Sequence, residues 1–175
     1  MATKINYTNI FIIGFSGTGK STIGKKIAKK LNFSFIDTDR ELELLEKKEI
    51  SQIIEKSGEP FFRKLETKIL KRINYDISHI ISTGGGMPTV KENIDLMNKN
   101  GIIIWLNASI ETIKERLIES KEIRPLLGKN IDNNNIVKLY KDRLKIYSQA
   151  DIKVSTDYKT TTQVVKEILD KLDDR

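Results

Sequence analysis

Residues Asn9 to Leu31 constrain this chain more than any other stretch. Asn9 to Ile13 reads N-I-F-I-I, a continuous apolar run that suits a strand buried on both faces of a parallel sheet. Gly14-Phe15-Ser16-Gly17-Thr18-Gly19-Lys20-Ser21 follows and satisfies G-x4-G-K-[ST]. From about Lys20 to Leu31, Ile23, Ile27 and Leu31 recur every four residues with Ala28 beside them, while lysines 25, 26, 29 and 30 cover the other side, so the spacing predicts an amphipathic helix. A strand, a glycine turn and a helix in that order form an anion site. The glycines let backbone N–H groups curl around a phosphate without Cβ clashes, and the helix N-terminus adds unpaired donors and a favourable dipole. Lys20 can place its ammonium on β- and γ-phosphates, and the Ser21 hydroxyl can ligate Mg²⁺.

The rest of the chain repeats the strand–helix alternation. Ser34 to Asp37, His79 to Ser82, Ile102 to Leu106 and Ile152 to Ser155 read as strands. Asp39 to about Ile73 reads as helical with one break at Ser57-Gly58-Glu59-Pro60; further helices are expected near 89–99, 109–120, 136–149 and 162–172. Asn133-Asn134-Asn135 reads as a turn before a helix, and the polar stretch 121–131 as a loop. About five alternations describe an α/β domain with a parallel sheet. Its 175 residues suit a single domain.

Composition narrows the chemistry. With no cysteine, thiolate zinc sites, iron–sulfur clusters and cysteine nucleophiles are excluded, and a lone His79 excludes a multi-histidine metal site. Lys plus Arg is 31 and Asp plus Glu is 24, a net +7, but the lysines are interleaved with acids and lack aromatic companions. Solvated helix faces explain that charge better than a nucleic-acid stripe. No apolar run approaches the roughly 20 residues that span a bilayer, and the N-terminus lacks a signal-peptide core, so a cytoplasmic location is expected. Arginine is scarce, at positions 40, 63, 72, 116, 124, 143 and 175, so planar forks for phosphate or carboxylate are suspected among them.

Two further loops point to the same edge of the sheet. Asp37-Thr38-Asp39 closes the second strand and Gly84-Gly85-Gly86 follows the third. Read alone, Asp39 could equally be a helix N-cap, and Arg63 with Glu66 a surface helix pair. The set of motifs is more specific. G-x-x-G-x-G-K-S, D-T-D, G-x-x-F-R-x-x-E (Gly58 to Glu66, with Phe62 and Arg63), G-G-G, R-P-L-L (Arg124 to Leu127) and R-x-x-x-Y (Arg143 to Tyr147) resemble, in this order and over essentially the whole chain, those of the shikimate kinases.

That resemblance implies a three-layer P-loop fold, with a five-stranded parallel sheet in the order 2-3-1-4-5. It implies transfer of the γ-phosphoryl of ATP, with Mg²⁺, to the 3-hydroxyl of shikimate in the shikimate pathway. Gly17, Thr18, Gly19, Lys20, Ser21 and Thr22 would bind nucleotide. Ser21 and, through water, Asp37 would hold the metal. Asp39 would act as general base, and Arg63 and Arg143 would hold the shikimate carboxylate, with Glu66 bracing Arg63. Gly84, Gly85 and Gly86 would line the ring, Arg116 would stack on adenine, and Arg124 would close from a lid at about 121–131 over the phosphate. The acceptor region would span about 38–75, and a monomer without nucleic-acid or membrane partners is expected. Three departures from the pattern stand out: Lys145-Ile146 precede Tyr147 where proline is usual, Met87 follows the glycines, and Arg40 adjoins Asp39. A kinase for another small hydroxy acid, such as gluconate, and a catalytically silent nucleotide-binding module are the alternatives. The paired arginines weigh against the first, and the presence of Lys20, Asp39 and Arg124 against the second.

Overall fold

A computed structural model describes residues 8–120 and 133–175, with the side chains of 120, 133 and 134 left aside. Five strands form one parallel sheet: β1 (Asn9–Ile13), β2 (Ser34–Asp37), β3 (His79–Ser82), β4 (Ile102–Asn107) and β5 (Ile152–Ser155). Their order is β2-β3-β1-β4-β5. The first strand is central, with Phe11 in register with Ile81 on one side and Ile103 on the other. Among the described residues seven α-helices follow the strands: α1 (Lys20–Leu31), α2 (Thr38–Glu46), α3 (Ile50–Arg72), α4 (Lys91–Asn100), α5 (Ile110–Ser120), α6 (Asn133–Tyr147) and α7 (Thr161–Asp173).

Burial of both sheet faces explains the apolar runs. In β1, Ile10 and Ile12 point to a layer shared with Ile23 and Ile27 of α1 and Val165 and Ile168 of α7. Phe11 and Ile13 point the other way, to Leu70, Met97, Ile113 and Tyr147 of α3–α6. Each such side chain, fully buried, contributes about 1.5–3 kcal/mol relative to exposure. A one-residue slip of β1 would exchange these two sets of neighbours, so packing fixes the register that places the loop after Ile13.

Two elements differ from the sequence expectation. The long helix expected over 39–73 is broken where Gly58 turns to φ 79°, as its sequence suggests, but also at 47–49. There Lys47 takes a left-handed backbone, the Ile50 N–H donates to Glu43 Oε1, and a reciprocal Glu49–Gln52 cap starts α3. No glycine marks this break; side-chain hydrogen bonds replace one. Together α2 and α3 enclose their own small core of Leu42, Ile53, Phe62, Leu65 and Ile69. The second difference is the asparagine triplet, which opens α6 rather than preceding it as a turn.

The sole histidine has a structural place. His79 is buried at the start of β3, with Nδ1 3.3 Å from Asn9 Oδ1, and Asn9 in turn donates to the carbonyls of Tyr75 and Asn100. No described helix is long and apolar enough to cross a membrane.

Candidate active site

The carboxyl ends of β1, β2 and β3 open into one cavity of about 750 Å³, large enough for a nucleotide's phosphates and a small acceptor. Its floor is the loop after β1. Gly14, Gly17 and Gly19 have φ of 145°, 83° and 85°, conformations that favour glycine, and Gly19 caps α1. Lys20 Nζ donates to the carbonyls of Gly14 and Phe15, both at 3.0 Å, so its ammonium lies curled over the loop. Thr18 differs from the residues around it. Its hydroxyl is buried and donates to the Phe15 carbonyl at 2.8 Å, so it braces the loop and does not line the cavity.

Asp37, not Asp39, caps the helix after β2. Asp37 Oδ1 accepts from the Arg40 N–H at 3.5 Å while Oδ2 accepts from Ser21 Oγ at 2.5 Å. Arg40 is itself exposed. Asp39 in the first turn of α2 is thereby left facing the cavity. Ser82 Oγ lies 3.4 Å from Ser21 Oγ. One carboxylate and two hydroxyls give a hard-oxygen set, and Mg²⁺ characteristically takes one or two carboxylates, with waters and substrate phosphates completing its shell. The described residues hold no cluster of three or more acidic or histidine ligands, so a metal here would depend on the nucleotide for the rest of its coordination.

The triple glycine forms the opposite wall. A methyl group at Gly84 would lie 2.6 Å from Asp39 Oδ1 and 2.8 Å from Glu66 Oε1; one at Gly85, 3.3 Å from Arg143 Nη1; one at Gly86, 2.5 Å from Arg63 Cζ. The four charged side chains therefore press against a wall without side chains. Thr38 Oγ1 accepts from the Gly84 N–H at 3.0 Å, and the buried Tyr147 hydroxyl donates to the Gly85 carbonyl at 2.5 Å, which fixes the wall from both sides. Burial pushes the Tyr147 phenol up to about 12 against the opposing pull of Arg143, so it remains a donor at neutral pH. Lys145 and Ile146 simply carry α6 on to Tyr147, and Met87 is buried in the core beneath the wall.

Arg63 and Arg143 are positioned differently. Arg63 Nη1 donates to Glu66 Oε2 at 2.7 Å, and its Nε and Nη2 donate to Glu59 Oε1 at 3.1 and 2.6 Å. These bonds use three of five N–H groups and leave one on each terminal nitrogen, a fork for a carboxylate. Arg143 is 7% exposed, with Cζ 5.4 Å from the centre of the Phe15 ring, which orients the guanidinium plane. Glu66 is 1% exposed; burial pushes its carboxyl up to about 7, although Arg63 pulls it down.

At the other end of the cavity Arg116 donates to the carbonyls of Gly17 and Thr156 and to Thr156 Oγ1, at 3.3, 3.1 and 2.9 Å. The cavity thus brings together Gly17, Gly19, Lys20, Ser21, Thr22, Asp37, Asp39, Arg63, Glu66, Gly84, Gly85, Gly86, Arg116 and Arg143. Arg124 and the expected lid lie outside the described residues. Thr38, Ser82 and Phe15 were not singled out in the sequence. Glu59, four residues before Arg63 on a helix, was the one new partner that its spacing could have revealed.

Comparison with known proteins bears on this geometry. Residues 16–173 match the family model described as shikimate kinase. A shikimate kinase of Persephonella marina is 44% identical over 94% of this chain and 98% of its own length. That of Aquifex aeolicus is 43% identical over 91% and 93%. Among solved structures, shikimate kinase from Acinetobacter baumannii in complex with shikimate has a TM-score of 0.89 at 30% identity, covering 95% of this chain and 93% of that one.

Proposed function

The chain belongs to the shikimate kinase family, ATP-dependent enzymes that phosphorylate shikimate, and from that premise we propose which of its residues carry the transfer. One observation supports the assignment above the rest. Two arginines, Arg63 and Arg143, and one carboxylate, Asp39, from three different helices meet on the triple-glycine wall of the cavity that also holds Lys20. Shikimate presents one carboxylate and three hydroxyls on a small ring. Arg63 and Arg143 hold the carboxylate, and the Gly84–Gly86 wall admits the ring.

The acceptor hydroxyl then faces Asp39. As it attacks the γ-phosphorus, the oxygen loses its proton to the Asp39 carboxylate and the bond to the β-phosphate oxygen breaks, leaving ADP. Lys20 exchanges its two loop carbonyls for β- and γ-phosphate oxygens, so that charge developing in transfer meets a fixed cation. Ser21 and, through water, Asp37 would hold Mg²⁺, which would supply positive charge to neutralise the phosphates. Arg124 is assigned by its R-P-L-L motif to the transferring group.

A coupled assay of ADP release tests the reading. Shikimate should raise ADP formation well above the ATPase background, and by kcat/KM should exceed gluconate and other hydroxy acids of similar size. No shikimate-dependent release, or preference for another acid, would overturn it.

A further inference from the structure

The phosphate loop carries one large side chain that turns away from the phosphates. Phe15 is fully buried, and its ring meets two residues of α6. Arg143 Cζ stands 5.4 Å from the ring centre, and the Tyr140 ring meets it in a T-shaped contact with centroids 5.7 Å apart and planes at 76°. Both contacts suit the charge distribution of an aromatic ring, negative on its face and positive at its edge. Tyr140 and Arg143 are three residues apart, hence neighbours on one face of α6. They end in different places. The Tyr140 hydroxyl reaches the end of β4, 3.1 Å from Asn107 Oδ1 and 3.0 Å from the Ala108 carbonyl, whereas Arg143 lines the cavity. A displacement of the Phe15 ring is therefore felt by Arg143, the partner that borders the ligand.

The backbone of the same residue belongs to the nucleotide side. Its carbonyl accepts from Lys20 Nζ at 3.0 Å, from Thr18 Oγ1 at 2.8 Å and from the Thr18 N–H at 3.4 Å. On the functional reading above, phosphate oxygens draw Lys20 off this carbonyl while the Thr18 bonds stay, so the hold on Phe15 changes as nucleotide arrives. At Gly85 no side chain separates the loop from the acceptor wall. A methyl group there would meet Arg143 Nη1 at 3.3 Å, the Gly14 carbonyl oxygen at 3.4 Å and the Ser16 nitrogen at 3.6 Å. Phosphate loop, glycine wall and Arg143 thus share one point of contact, with the Phe15 ring packed on Arg143.

We propose that Phe15 couples the two sites: a nucleotide that fixes the loop fixes the Phe15 ring, and the ring holds the Arg143 guanidinium on the acceptor carboxylate. Ordering already imposed by the nucleotide need not be imposed again by the acceptor, so the two bind cooperatively. By linkage the factor is the same whichever binds first. The proposal rests on the assignment of Arg143 to the acceptor, and the test tells the two apart. Calorimetry gives shikimate affinity, with and without saturating ADP, for wild type, Phe15→Leu and Phe15→3,5-difluorophenylalanine. The last keeps the shape of the ring and withdraws charge from its face. ADP should tighten shikimate binding to wild type about fivefold or more. In F15L shikimate should bind about 2–30-fold more weakly, the range of one lost cation–π contact. The tightening by ADP should vanish there, while ADP alone binds within about twofold of wild type. The fluorinated variant should fall between the two, and it decides the matter should F15L fail to fold. Absence of tightening in wild type would overturn the coupling. So would full tightening in F15L, an equal loss of ADP affinity there, or a fluorinated variant indistinguishable from wild type. A wild-type chain that binds ADP but no shikimate would remove the acceptor assignment and this inference with it.

Discussion

Adding one methyl group to the glycine wall should weaken acceptor binding while leaving the fold in place. Gly86 has φ −93° and ψ −11°, so alanine adopts its backbone without strain. The new Cβ would lie 2.5 Å from Arg63 Cζ, whereas carbon contacts settle at about 3.5–4.0 Å. The guanidinium must therefore retreat by about 1 Å. It is the end of a flexible side chain, and its bonds to Glu59 and Glu66 can follow, so stability should fall by no more than about 1–2 kcal/mol. The two N–H groups left for the ligand then miss their target. A charge-assisted hydrogen bond is worth about 1.5–3 kcal/mol, so KM for shikimate should rise about 10–150-fold in Gly86→Ala. Steady-state kinetics, with ADP affinity as the control, make the check. A folded variant that binds ADP normally and keeps its shikimate KM within about twofold of wild type would show that Arg63 does not hold the carboxylate.

Other substitutions separate the remaining roles. Asp39→Asn should lower kcat by about 10²–10⁴-fold with ADP affinity retained, measured by turnover and calorimetry; near-normal turnover would remove Asp39 as the base. Asp37→Asn should raise the Mg²⁺ concentration needed for half-maximal rate about tenfold, while ADP binding without metal stays as it was; an unchanged Mg²⁺ dependence would place the metal elsewhere. Glu66 gives a pH test. Its carboxyl is raised in the folded chain from 4.5 to about 7, so the unfolded chain ionises first as pH climbs. Its contribution is complete below about 4.5 and is lost as pH rises through about 7, a total change of at most a few kcal/mol. Urea midpoints of wild type and Glu66→Gln between pH 4.5 and 8 should converge toward high pH or cross; parallel curves would refute the raised value.

Much of this architecture is legible in the sequence because the signals are local. The apolar runs of β1 and β4 and the four-residue spacing of Ile23, Ile27 and Leu31 fix strand and helix type without knowledge of the rest of the fold. The glycine pattern at 14–19 names its own chemistry. What escaped are contacts made across the chain. The helix break at Lys47 depends on Glu43 reaching the Ile50 N–H, and neither residue is a turn former. The role of Asp37 as cap, with Asp39 one residue into α2 and facing the cavity, depends on how α2 leaves β2. Thr38 and Tyr147 support the glycine wall from positions 46 and 62 residues away in the chain, a pairing that no spacing could announce. Thr18 shows the reverse: it sits inside a motif whose backbone donors suit phosphate, while its own side chain turns inward, which the motif alone does not announce.

The account depends most on a single meeting of groups, and a crystal structure of the chain with ADP and shikimate tests it directly. It should show the acceptor carboxylate between Arg63 and Arg143, the 3-hydroxyl within hydrogen-bonding reach of Asp39, and the β-phosphate of ADP on Lys20. Shikimate bound away from the glycine wall, or turned so that its carboxylate faces the nucleotide, would contradict it.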